Sequence, residues 1–405
     1  MKKLFDRIIN IIKSQLYTIS LYTRKVAGTA VVFILARYLK VYDYGVYSSY
    51  SNIANYLLVI ANLGFNEYIL VSSGNNLKEV RLKQSYFITF AIIITLFYII
   101  ISSFFHMESL LVFQLILLKT LFDGVFFALI LPYFQVAKQF NKIAVINIVY
   151  SIGIMAITTC LYIFKLSLVI FLALIVILGV VNFIQCSVGI RINYFLALFN
   201  LKKIYKFIDD KFKYFAFVSV ILITQSQLYS VCISVFMPKE QAALFFAAFN
   251  IVSIIQLFAI AQIQQIMPKM VIQGCKELKK SIIDAQKILL FVFGGLIVFF
   301  IFGGKILLHI IYSKEYYLNA YPILIILSVI NLTNIAGIYG CAVSAKGQQK
   351  QKMKIQIEIL SVAVVAILLL YRFGMYGLIC SFGISSTYSL IRYHFYCYKN
   401  LLNNN

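Results

Sequence analysis

Lys119 and Asp123 stand four residues apart inside one long apolar stretch, LLVFQLILLKTLFDGVFFALIL. On a helix that spacing puts both on one face, where opposite charges attract. A charge inside an apolar span is costly, so it faces a partner or a cavity. Two readings fit: an ion pair that holds the bundle, or a cavity-lining pair that protonation or an anionic ligand opens. Arg24 and Lys25 pose the same choice in the first apolar stretch. Successive helical residues point about 100° apart, so both face a cavity only obliquely. They suit a phosphate clamp at an inner mouth, or snorkelling to lipid headgroups. Glu67 and Glu358 lie at span ends, where they suit caps or pairs with nearby lysines.

Amides form the second set. Asn52, Asn55 and Asn62 share one stripe of a helix, and Gln225, Gln227, Gln256, Gln262, Gln264 and Gln265 fall on two later ones. Amides bond sugar hydroxyls well, and they also join helices to one another. Asn52, Asn55, Gln225 and Gln256 join Arg24, Lys25 and Lys119 as candidate binding residues.

Other chemistry is excluded. The seven cysteines form no CxxC pair and mostly sit in apolar runs, and His106, His309 and His394 lack metal-type spacing. No P-loop occurs, so no ATP-driven pump is encoded. No metal, cofactor or enzymatic reaction is expected. Asp209 and Asp210 sit in a Lys-rich linker, which suits structure rather than a paired-acid catalyst.

The elements that must hold these residues are membrane spans. Of 405 residues, 62% are hydrophobic and 12% charged, and the mean hydropathy is +0.92. A soluble domain carries about 25% charged residues. Twelve apolar stretches are legible: Leu16–Tyr38, Tyr44–Phe65, Ser85–Phe105, Ser109–Leu131, Ile143–Phe164, Leu166–Cys186, Tyr214–Met237, Gln241–Met267, Ala285–Phe302, Tyr321–Ser344, Ile357–Tyr371 and Met375–Tyr396. A bilayer core needs about 20 residues per helix.

The gaps between stretches are alternately rich and poor in Lys and Arg. With the N-terminus inside, 26 basic residues fall on the cytoplasmic side and seven outside. The positive-inside rule then sets both termini in the cytoplasm of a multi-pass inner-membrane protein. The net charge of +23 serves topology and anionic lipid, not nucleic acid.

The expected layout is all-α. Residues 1–15 form a basic amphipathic N-terminus on the cytoplasmic surface, without a cleavable signal peptide. Residues 16–190 form a six-helix lobe, 191–213 a basic interfacial linker, and 214–405 a second six-helix lobe. Six helices per lobe imply a parallel repeat. A weak echo supports it: DYGVYSSYSNI (43–53) against EQAALFFAAFNI (240–251). The four prolines fall at span ends or outer turns, which predicts uninterrupted helices. Gly294-Gly295 reads as close helix packing.

Several segments carry a resemblance. ILARYLKVYDYGVYSSYSNI, PYFQVAKQFNKIA, IYSKEYYLNAYPILIIL and SAKGQQKQKMK occur in order along the chain. They are similar to the first hairpin, the connection after helix four, and the entry and end of helix ten in O-antigen-type (Wzx-like) polysaccharide flippases. Those proteins form a branch of the multidrug/oligosaccharidyl-lipid/polysaccharide (MOP) exporter superfamily. Ser313 stands where that pattern commonly has Gly.

The resemblance implies two lobes around a central cavity and alternating access. The implied cargo is an undecaprenyl-pyrophosphate-linked oligosaccharide, turned to the periplasmic leaflet. A polysaccharide polymerase and a chain-length regulator are implied partners, with membrane lipid. An ion gradient would supply energy, and Asp123, Glu67 and Glu358 are the acids able to carry the ion, Asp123 foremost. A drug/cation antiporter of the same superfamily is the rival, although it would want an acid-rich cavity. Lipid II flippases are close in chemistry but usually have fourteen spans. A non-transporting scaffold is a third reading.

Overall fold

Long runs of Leu, Ile, Val and Phe, punctuated by short polar turns, leave the backbone one way to satisfy itself in lipid: hydrogen bonding within each segment. The computed structural model describes residues 20–402 except 21–22, 63–64, 66–67, 70–75, 105–108, 138, 191–209, 273 and 313. The amphipathic N-terminus and most of the basic linker, both expected from the sequence, lie outside the described residues.

Among those described, the chain is helical with no strand, and twelve rods follow one another. They are α1 (residues 23–38), α2 (Val41–Asn62), α3 (Leu77–Ser102) and α4 (Leu110–Thr120 and Phe126–Val136, joined by a π-helical turn). Next come α5 (Phe140–Phe164), α6 (Leu168–Ile190), α7 (Asp210–Phe236), α8 (Lys239–Ile272) and α9 (Cys275–Ile311). The last are α10 (Lys314–Asn331 and Ala336–Ala345, joined by a 3-10 turn), α11 (Gln349–Leu370) and α12 (Gly374–Cys397).

Eight stretches among the described residues are long and apolar enough to cross a membrane, the last of them covering both α11 and α12. α1, α2 and α8 fall outside that set. α1 is described only from residue 23, and α2 is diluted by Tyr, Ser and Asn. The surface agrees with a lipid surround: Phe291, Phe302 and Leu369 are 84%, 80% and 69% exposed, which water would penalise.

Helices outrun the hydropathy. α9 has 37 residues, about 55 Å, well beyond a bilayer core of about 30 Å. Hydropathy finds only the apolar stretch of a helix, and α9 continues into the polar CKELKKSIIDAQ. Its face Leu278, Ile282, Ala285, Leu289 and Phe293 is buried at helical spacing. That face packs with Tyr339 and Ala342 of α10, Ile355 and Ile359 of α11, and Tyr393 and Cys397 of α12.

Two expectations are corrected. The helices are not uninterrupted: Pro132 lies inside α4 and Pro322 inside α10, and the same two rods carry the π turn and the 3-10 turn. They are the fourth and the tenth, the same place in each run of six. Next to Pro132, buried Gln84 of α3 donates to two carbonyls of α4, Leu129 O at 2.8 Å and Ile130 O at 3.2 Å. Nor are Gly294 and Gly295 packing glycines: a Cβ on either would meet nothing within 4 Å.

The chain forms two compact units. One is Tyr50–Ile223 with the helix over 23–38; the other is Leu39–Ser49 with Thr224–Asn405. The break lies inside α7, and the first turns of α2 join the second unit. Side chains explain the latter. Tyr44, fully buried, accepts from Asn250 Nδ2 of α8 at 3.1 Å and meets Tyr316 edge-on at 6.0 Å. Tyr312 donates to Ala247 O at 2.9 Å.

Gly45 sits so close to α8 that a Cβ would fall 1.9 Å from Lys239 O. The two echo segments therefore pack on each other, and the Asp-Tyr-Gly motif is an anchor of that packing. Gly45→Ala should lower the melting temperature in detergent, at a cost of about 1–3 kcal/mol. Gly295→Ala, in open space, should leave it unchanged or slightly raised. Equal melting of both variants would contradict the anchor.

Candidate functional site

Three helices of the first unit bring their polar residues to one point. α4 runs 13 residues from Leu110 before it reaches Asp123, about 20 Å. There it makes a π turn over Leu121–Val125, a deformation frequent at functional sites. α6 leans on this turn through Gly179, where a Cβ would lie 2.9 Å from Phe122 Cβ. Phe183 of α6 stacks on Phe126 at 4.3 Å.

Arg24 of α1 reaches the π turn. Its Nη2 donates to Asp123 Oδ1 at 2.6 Å and to Asp123 O at 2.7 Å. Its Nη1 donates to Asn147 Oδ1 of α5 at 3.0 Å. Asn147 is fully buried and donates on to Ser20 Oγ at 3.3 Å. The guanidinium lies 3.8 Å from the Phe127 ring centre and 4.6 Å from that of Tyr150. Cation–π attraction adds to the ion pair where water is scarce. The side chains of Arg24 and Asp123 are 15% and 29% exposed, so the site can still be reached. One planar cation is held by a carboxylate, a carbonyl and an amide, all anchored on separate helices from its own. A phosphate accepts two parallel hydrogen bonds from a guanidinium and can compete for it.

The expected partner of Asp123 was Lys119; the ion pair formed is with Arg24. The π turn begins two residues after Lys119 and breaks the regular four-residue register assumed for the pair. Lys119 is half-buried, and Lys25 is exposed beside half-buried Arg24, as their angular separation predicts. Asn52 is half-buried and Asn55 exposed on α2. Gln225 and Gln256 are half-buried and belong to the second unit. Glu67 lies outside the described residues. Glu358 is held by Arg392 of α12 at 2.6 and 3.2 Å.

Asn147, Phe127 and Tyr150 escaped the sequence reading. The signal for Asn147 was present: a lone amide in the apolar run of α5, open to the same argument as the charges. Among the described residues, no group of His, Cys, Asp and Glu could hold a metal ion.

No family model and no curated protein matches the chain. Solved structures do. The lipid II flippase MurJ, in an inward closed conformation, superposes with a TM-score of 0.75 at 14% identity, covering 94% of this chain and 87% of that one. An inward-facing multidrug resistance MATE family transporter of the MOP superfamily gives 0.65 at 11% identity, with 93% and 94% covered. A MOP superfamily transporter from Pyrococcus furiosus, described by a binding pocket of reverse polarity, gives 0.61 at 13%, with 96% and 94% covered. At these identities the likeness is one of fold. The chain has the fold of MOP superfamily transporters.

Proposed function

We propose that this protein is a flippase for lipid-linked oligosaccharides. It moves an undecaprenyl-pyrophosphate-linked repeat unit of O-antigen type from the cytoplasmic to the periplasmic leaflet of the inner membrane, with both termini in the cytoplasm. The observation that carries the reading is Arg24, a guanidinium held by Asp123 and Asn147 inside a stack of membrane helices. A cation so placed suits a phosphate-bearing cargo and repels cationic drugs. The MOP transporter fold, and MurJ as a solved neighbour named for lipid II, support the same class.

The pair also offers coupling. While Asp123 is ionised it occupies the guanidinium. A proton on Asp123 frees Arg24 for the cargo diphosphate, and loss of that proton displaces the cargo. Lys25, Lys119, Asn52, Asn55, Gln225 and Gln256 are proposed to contact cargo. Asp123 is the proposed ion carrier, ahead of Glu67 and Glu358.

Transport in vesicles tests the class. Purified protein in vesicles carrying a fluorescent polyprenyl-diphosphate disaccharide should equilibrate the lipid between leaflets, and should leave a cationic dye where it was. Dye movement with a static lipid would overturn the reading in favour of an antiporter.

A further inference from the structure

A second cation of the first unit is left unanswered by its surroundings. The first turns of α3 carry Lys78, Glu79, Arg81 and Lys83. Lys83 is 4% exposed and fully accounted for: Glu79 meets it at 2.7 Å, and the Tyr68 ring lies 4.7 Å from its Nζ. That consumes the carboxylate of this turn. Lys78 is exposed. Arg81 is half-buried and has no ion pair among the described residues.

Among the described residues, the Nε of Arg81 is buried without a hydrogen-bond partner, and its Nη2 lies 3.5 Å from the Tyr133 hydroxyl of α4. Three residues on, along the same helix face, fully buried Gln84 uses its Nε2 on α4 carbonyls, and its Oε1 has no partner among the described residues. A buried guanidinium donor left unpaired is costly, and a native structure seldom keeps one without an ion or ligand to meet it. Beside it lies an orphan acceptor that a ligand hydroxyl would satisfy.

We infer that Arg81, with the Tyr133 hydroxyl, is a receptor for the phosphate of a membrane lipid at the cytoplasmic end of α3. The side of the membrane rests on the topology proposed above; the anion chemistry does not. An arginine fork takes two phosphate oxygens, Tyr133 donates to one of them, and the residue lies about 6 Å from the start of α3, the depth of a headgroup. The phosphate has two sources, the diphosphate of the cargo or an ordinary anionic phospholipid. In the first case Arg81 is an entry subsite that captures cargo before Arg24.

Farnesyl diphosphate binding to the full-length protein in phosphatidylcholine nanodiscs tests this. It is measured in the wild-type and Arg24→Gln backgrounds, so that the two cations report separately. Arg81→Gln should weaken the Arg81-dependent component at least tenfold, and Arg81→Lys, which keeps charge but loses the fork, by a smaller factor. Tyr133→Phe should weaken it severalfold with the fold intact. Lys78→Gln should change it less than twofold. Equal losses in Lys78→Gln and Arg81→Gln, or no loss in Arg81→Gln at unchanged melting temperature, would overturn the receptor.

Discs with one-fifth phosphatidylglycerol separate the sources. Persistence of the Arg81 component supports a diphosphate receptor, and its displacement supports a bulk-lipid receptor. Failure of the flippase reading would register instead as an Arg24→Gln variant that binds the probe like wild type.

Discussion

Arg24→Ala should abolish export, and the double variant Arg24→Ala/Asp123→Ala should restore the protein to the membrane without restoring export. The single change removes the guanidinium and strands Asp123 in a helix stack. Breaking one side of a buried pair costs about 3–5 kcal/mol. Removing both sides returns most of that, because no uncompensated charge remains. A purely structural pair would behave otherwise: the double variant would recover abundance and export together. Protein abundance by immunoblot and surface glycan by gel, read on the same cells, distinguish the two. The rings of Phe127 and Tyr150 stay in either variant, so the packing around the vacated space changes little beyond the pair.

Asp123→Asn should uncouple binding from release. The amide still accepts from Arg24 but bears no charge, so the guanidinium competes less for its own partner. Cargo affinity should rise or hold, and turnover should fall at least tenfold, because the cargo diphosphate no longer competes with a carboxylate for the guanidinium. Binding isotherms of a polyprenyl-diphosphate saccharide, beside transport rates in vesicles, measure both quantities. Wild-type turnover in the Asp123→Asn protein would remove Asp123 from the coupling role.

Much of this architecture is legible from residue order, because two simple forces write it. Hydrocarbon thickness sets the apolar run lengths, and twelve such runs correspond to twelve rods. What escaped depends on neighbours distant in sequence. The Asp123 partner lies 99 residues away, and the Asn147 partner 123 residues away. A spacing rule sees only the lysine one turn off, and a π turn invalidates even that spacing. The Gly294-Gly295 pair shows the converse: composition suggested a close approach, while close approaches occur at Gly45, Gly153, Gly179 and Gly377. Gly45 was noticed as part of a motif, and its reason, a carbonyl of α8 in the way of any Cβ, exists only in three dimensions.

Nothing in LFDGV or LTNI announces a change of helix type, yet they fall in the fourth rod of each run of six. In one run the irregular turn presents Asp123; in the other, Asn334 lies in it and bonds to Asn331 just before it. The two turns differ in kind, one π and one 3-10, and share only their place in the order of rods.

Flippase function is tested most directly by removing the protein from its host, extracting lipid-linked saccharides and inspecting surface glycan. Undecaprenyl-diphosphate repeat units should accumulate in the cytoplasmic leaflet and surface glycan should be lost, with rescue by the wild-type chain and none by Arg24→Ala/Asp123→Ala. Intact surface glycan, together with raised sensitivity to cationic drugs, would contradict it.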